Sequence, residues 1–78
     1  PELDIRGMAV DEALPVLDNF LDAAYMGNLP NARIIHGKGT GVLRAAVQDE
    51  LRRCKYVKSF RLGVYGEGES GVTIVEFK

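Results

Sequence analysis

Leu3-Asp4-Ile5-Arg6 alternates apolar and polar positions and stops at Gly7, which predicts a short strand with Leu3 and Ile5 facing a core and Asp4 and Arg6 sharing the opposite face. The period then lengthens. Leu14, Leu17, Leu21 and Ala24 recur at helical spacing, Val10, Ala13 and Phe20 widen the stripe, and Gly27-Asn28 supplies a stop. A first helix is predicted over residues 10–26. Ala9 is a poor N-cap, whereas Asp11 and Glu12 suit the positive end of the helix dipole, and Pro15 is expected to distort the first turns.

Ala32-Arg33-Ile34-Ile35-His36 reads as a β-branched strand of a parallel sheet, ended by the glycine-rich segment 37–41. Leu43, Val47 and Leu51, joined by Ala46 and Cys54, predict a second helix closing near Lys55, with Arg44, Gln48, Asp49 and Arg52 on its outer side. Val57 to Leu62 and Val72 to Phe77 predict two further strands, separated by an acidic glycine loop at 66–71. The order β-α-β-α-β-β predicts a two-layer α/β domain, about four strands with two helices on one face. A helical connection makes the first two strands parallel neighbours with a right-handed crossover, so both end on one edge. That edge would gather Asp4, Arg6 and Gly7 with His36 and Gly37, where ligands of open α/β sheets bind.

At 78 residues and 46% hydrophobic, the chain has material for one core and one domain. It opens directly into a strand pattern, so it is expected to be an excised part of a longer protein. No run approaches the roughly 20 apolar residues of a membrane span, and no leader precedes the first strand, which predicts a soluble protein. The single cysteine, Cys54, makes no internal disulfide and suits a reducing, cytoplasmic setting. A helix C-terminus opposes thiolate formation, so Cys54 is read as a packing residue. The net charge of −1 offers nucleic acid no overall attraction, but its distribution is uneven. Residues 1–32 carry one base against six acids, residues 33–61 eight bases against two, and residues 62–78 one against three. The central segment can make one face basic, the footprint that matters for phosphate backbones.

The loop Gly37-Lys38-Gly39-Thr40-Gly41 joins a strand to a helix. Its glycines let backbone N–H groups approach an anion, the helix adds partial positive charge, Lys38 a full one, and Thr40 either caps the helix or donates to a phosphate oxygen. Neither the Walker A spacing nor the dinucleotide G-x-G-x-x-G spacing is present. A tight structural turn is the competing reading of the loop. His36, the sole histidine, directly precedes it and could shuttle a proton at neutral pH while the loop neutralises charge developing on phosphorus. Asp4, expected across from His36, either orients it, acts as a base, helps hold a metal, or pairs with Arg6 or Lys38. A closed protein-only metal site lacks ligands, which leaves Mg²⁺ or Mn²⁺ shared with substrate phosphate as the metal option. Glu67 and Glu69 are read as solvated loop acids. Tyr56 and Tyr65 are the aromatic candidates for base stacking, while Tyr25 and Phe60 are read as core.

Three segments then coincide with a known pattern: Leu3-Asp4-Ile5-Arg6-Gly7, His36-Gly37-Lys38-Gly39-Thr40-Gly41 followed by Val42-Leu43-Arg44, and Gly71-Val72-Thr73-Ile74-Val75. Together they resemble the Smr (small MutS-related) domain, over nearly the whole chain. The form with Arg6 and the lysine loop is most similar to the C-terminal domain of the second bacterial MutS paralogue. That resemblance implies a homodimeric parent with a MutS-type ATPase that binds ATP, linked to suppression of homologous recombination and, in some bacteria, to sensing collided ribosomes. It also implies DNA-nicking or RNA-cutting endonuclease relatives and a fold similar to the C-terminal domain of bacterial translation initiation factor three. Carried over by position, it implies Asp4, Arg6, His36, Gly37, Lys38, Gly39, Thr40 and Gly41 as the motif residues; the residues themselves suggest Asp4 and His36 as catalytic, managing protons or metal, and Arg6, Lys38 and the loop 37–41 as phosphate-binding. Ala9 in place of a hydroxyl residue, and Glu67 within the glycine pair, depart from the pattern. Two functions follow as expectations: a phosphodiester-hydrolysing endonuclease, or a non-catalytic nucleic-acid or ribosome-binding module using the same edge.

Overall fold

A computed structural model describes residues Pro1–Lys78. The elements are β1 (Glu2–Asp4), α1 (Val10–Met26), β2 (Asn31–Ile35), α2 (Val42–Arg53), β3 (Val57–Leu62) and β4 (Val72–Phe77), in the expected order. Segment 66–71 is more than a loop, because Glu69–Gly71 closes one 3₁₀ turn before β4. The sheet order is β1-β2-β4-β3. β1 and β2 are parallel neighbours, as expected, and β4 runs antiparallel to both β2 and β3. The sheet is therefore mixed, with β4 inserted beside the β1-β2 pair.

Alternation along the strands sorts their side chains. Ala32 and Ile34 on β2 and Thr73, Val75 and Phe77 on β4 are buried on one face. Ala13, Leu17, Leu21 and Ala24 of α1 and Val47 and Leu51 of α2 close over them, joined by Ile5 and Val57. Each fully buried Leu, Ile or Val removes apolar surface worth about 1.5–3 kcal/mol, which makes this layer the main source of stability. The other face carries Asn31, Arg33, Ser59, Arg61 and Glu76, and no helix lies on it.

Local chemistry accounts for the element ends. Ala9 has no side-chain oxygen to cap α1, but the Glu12 carboxylate reaches back to accept the Ala9 N–H at 3.1 Å. α1 then runs unbroken through Pro15 to Met26, and Gly27 and Asn28 end it, Asn28 with a left-handed φ of 59°. α2 stops at Arg53, slightly short of the expected end, so Cys54 is its C-cap and packs half-buried against the core. β2 stops at Ile35, and His36 is the first residue beyond it, its N–H donating to the Gly71 carbonyl at 3.1 Å.

Register decides what meets at the site edge. Asp4 lies beside Ile35, and Ile35 lies opposite Val72. The carboxyl ends of β1 and β2 therefore meet the start of β4 and the loop that enters it. No helix is long and apolar enough to cross a membrane.

Candidate functional site

The loop from β2 to α2 bends through three left-handed glycines, Gly37 (φ 80°), Gly39 (φ 33°) and Gly41 (φ 87°). Two of them also make room for arginines. A Cβ on Gly37 would lie 3.3 Å from Arg6 Cγ, and one on Gly41 would lie 2.8 Å from Arg44 Nη2. Two guanidinium side chains thus rest against the loop backbone from either end. The backbone N–H groups of Lys38, Gly39, Thr40, Gly41, Leu43 and Arg44 donate to no protein oxygen. Gly41 is the N-cap of α2 and no side chain caps the helix, although Thr40 Oγ1 accepts the Val42 N–H at 3.4 Å. A loop of free donors at the head of a helix has the build of an anion cradle.

His36 is only 5% exposed, and both ring nitrogens are engaged. The Gly37 carbonyl, 3.0 Å from Nδ1, can only accept, so Nδ1 carries the proton. Nε2 then accepts from the Thr73 hydroxyl at 2.8 Å. Burial pushes the imidazole pKa below its ordinary value, partly opposed by the Gly37 carbonyl and reinforced by the charge of Arg44. His36 is thus a neutral ring held between the loop and β4.

Asp4 does not stand across from His36, contrary to expectation. Asp4 shares the open face of the sheet with Glu2, whereas His36 continues the inward phase of Ile34 and meets Thr73 there. Strand alternation sends the two side chains to opposite faces. The Asp4 carboxylate instead takes a bidentate contact from Arg6, Nη2 to Oδ2 at 2.7 Å and Nε to Oδ1 at 3.0 Å. Those hydrogen bonds hold its carboxyl below the usual range and raise the guanidinium correspondingly. Lys38 Nζ lies 3.3 Å from Glu69 Oε2.

The glycine loop therefore divides two concavities of about 290 Å³ each. The open-face one is flanked by Arg6, Lys38, Gly68 and Val72. The helix-side one lies between the loop and the start of α1, with His36 and Arg44 in its wall. Arg44 was expected on the outer side of α2, and the structure instead folds it half-buried against the loop. The signal was its place in the first turn, because helical side chains lean toward the N-terminus.

Other candidates are settled by their partners. Glu67 takes both guanidinium nitrogens of Arg61, at 2.7 and 3.1 Å, and the Val64 N–H at 3.0 Å, which hold its pKa down to about 2. It staples its loop, and Glu69 is paired with Lys38. No three His, Cys, Asp or Glu side chains converge, so the side chains present do not fit a protein-only metal site. Tyr56 stacks on Tyr25, centroids 4.4 Å apart, at the end of the sheet remote from the loop. Tyr65 is 92% exposed in the loop between β3 and β4, on the same edge as the cradle.

Known proteins resemble this chain in sequence and fold. An endonuclease MutS2 of Lachnoclostridium phytofermentans is 59% identical over 78 residues, which is all of this chain and 10% of that protein. One from Acetivibrio thermocellus is 57% identical over 99% of this chain. The chain spans about a tenth of the length of these relatives. The crystal structure of the Smr domain of Thermus thermophilus MutS2 superposes with a TM-score of 0.96 at 47% identity, covering 99% of this chain and 96% of that one. YdaL, a stand-alone small MutS-related protein from Escherichia coli, superposes with a TM-score of 0.94 at 25% identity, covering 99% of this chain and 63% of that one. The family model described as the Smr domain matches residues 3–78. With fold and sequence in agreement, the chain belongs to the Smr domain family.

Proposed function

We propose that this domain is an endonuclease that hydrolyses a phosphodiester bond of DNA or RNA at the glycine-loop edge. One observation carries the reading: the loop 38–41 presents unpaired backbone N–H groups at the head of α2, between Arg6, Lys38 and Arg44. Donors fixed before substrate arrives cost no reorganisation when negative charge grows on the phosphoryl oxygens. Asp4, kept ionised by Arg6, is the exposed carboxylate of the edge and orients the attacking water or takes its proton. His36 acts through Gly37, its Nδ1–H fixing the carbonyl that aims the loop. Tyr65 offers a flat face for a base beside the phosphate. The relatives named endonuclease MutS2 support the nuclease class. Within a MutS-like ATPase parent, the domain would cut branched DNA in suppression of recombination, or RNA of collided ribosomes, roles supported only by the family likeness.

A second reading, a non-catalytic nucleic-acid or ribosome-binding module, is favoured by His36 itself: a buried neutral ring with both nitrogens occupied is poorly placed to move a substrate proton. The two readings separate on incubation with supercoiled plasmid and structured RNA, in Mg²⁺, Mn²⁺ or chelator. Nicking or cutting by the wild type, lost in Asp4→Ala and reduced in His36→Ala, is the expected result. Salt-sensitive binding with no product from either polymer makes the domain a binder and ends the nuclease reading.

A further inference from the structure

The cations chosen from sequence for phosphate binding are both already neutralised. Arg6 is clasped by Asp4, and Lys38 faces Glu69. Arg44 is different: it has neither a carboxylate nor a hydrogen-bond partner, yet it is half-buried with its fork over Gly41. A guanidinium without a partner, on a half-buried arginine, is the group whose charge an incoming anion can best satisfy. The surface around it agrees. No Asp or Glu lines the helix-side concavity, and its only formal charges are Lys38 and Arg44. Both helices begin there, Val10 opening α1 on one wall and Val42 opening α2 on the other. The open-face concavity, by contrast, takes its charge from Arg6 and Lys38, each bound to an acid.

We propose that Arg44 is the principal phosphate-binding cation of this domain, and that a phosphodiester of a nucleic-acid strand sits in the helix-side concavity between Arg44 and the start of α1. The proposal rests on the anion-cradle part of the functional reading and not on cleavage: the phosphodiester seated beside Arg44 lies across the loop from Asp4 and is not the bond that Asp4 would act on. Arg44 Nη atoms take the phosphoryl oxygens in a forked contact, and the free N–H groups of residues 39–41 complete the shell. Lys38, tethered to Glu69, steers the strand rather than seating it.

The test measures binding of an oligothymidine by fluorescence anisotropy at two salt concentrations, and maps inorganic phosphate by amide NMR shifts. Arg44→Gln should weaken oligothymidine binding by about tenfold or more, Lys38→Gln by only about two- to threefold, and Arg44→Lys should fall between, keeping the charge but losing the fork. Phosphate should shift amides of 7–10 and 39–44 rather than 68–72. Core amide shifts report whether each variant is folded, and the milder Arg44→Lys keeps the test valid if Arg44→Gln is not. Three results overturn the proposal: wild type that binds neither probe, Arg44 variants within about twofold of wild type, or phosphate shifts confined to 68–72. A wild type that binds through Arg44 but never cleaves would end the nuclease reading and leave the Arg44 site standing.

Discussion

Thr73 holds the only hydroxyl that reaches His36 Nε2, and Thr73→Val removes it while keeping the side chain's shape. Thr73 is fully buried and His36 nearly so, so water does not readily replace the bond. The orphaned lone pair then carries its whole desolvation cost, about 1–3 kcal/mol. A domain of this length has roughly 4–12 kcal/mol to lose, so the change is a sizeable fraction. It corresponds to a drop in Tm of roughly 5–20 °C. Urea denaturation would measure the loss, and imidazole ¹⁵N shifts would show Nε2 losing its donor while Nδ1 stays protonated. In a cycle with His36→Leu, the double variant should be less destabilised than the two single losses summed, because the unsatisfied nitrogen is gone. A Thr73→Val protein within about 0.5 kcal/mol of wild type, with unchanged nitrogen shifts, would refute the assignment of His36 as a neutral ring locked between Gly37 and Thr73.

The charge network yields further expectations. Asp18 is pushed up to about 6, first by desolvation and then by its hydrogen bond to Glu50, so the folded state holds its proton more tightly than the unfolded one. Its stabilising contribution is present below its ordinary value of 3.8 and is lost as pH rises through 6. Asp18→Asn should flatten that segment of the urea-stability profile between pH 4 and 7, by less than about 1 kcal/mol because the group is solvent-screened, and an unchanged profile would count against the pair. His36 has the opposite sign: its depressed pKa gives stability that is full above 6.5 and declines as pH falls below it, so His36→Leu should lose that acid-side slope in the same titration. Gly68 has a φ of 99° and a methyl there would run into Val72, whereas Gly39 has open space. Gly68→Ala should therefore lower Tm more than Gly39→Ala, and equal losses would mean that the Val72 contact is unimportant. Glu67→Gln should leave the core intact but speed amide exchange at Val64 and Glu67, since it breaks the clasp on Arg61.

The periodicity of α1 and the β-branched run of β2 depend on neighbours a few residues away, so both elements were legible, and Leu17, Leu21 and Ile34 are all in the core; that β2 buries only one face, beside an antiparallel β4, was not. The glycine loop was legible for the same reason, since left-handed backbone and close approach both demand glycine. The pairing of Asp4 with His36 was not. Each residue was placed on the right edge, but whether they meet depends on the sheet face each side chain takes, and Asp4 had a nearer partner in Arg6. Arg44 was missed because the outer phase of α2 was taken to decide its surroundings, whereas the loop folds back beneath it.

By itself the amino-acid sequence determined the element order, the apolar face of α1 and a glycine-rich loop next to one histidine. All of these are local, set by repeat period, β-propensity and allowed φ. Only the tertiary structure decided that β4 enters between β2 and β3, because strand order is chosen by how whole faces bury together. That insertion brings Thr73 to His36 and Gly71 to the His36 and Gly37 amides, distances of chain over which no local preference acts. Beyond the local Asp4–Arg6 pair it also decided the electrostatics, committing Lys38 to Glu69 and leaving Arg44 without a carboxylate, because such pairing depends on separations in space that residue spacing does not encode.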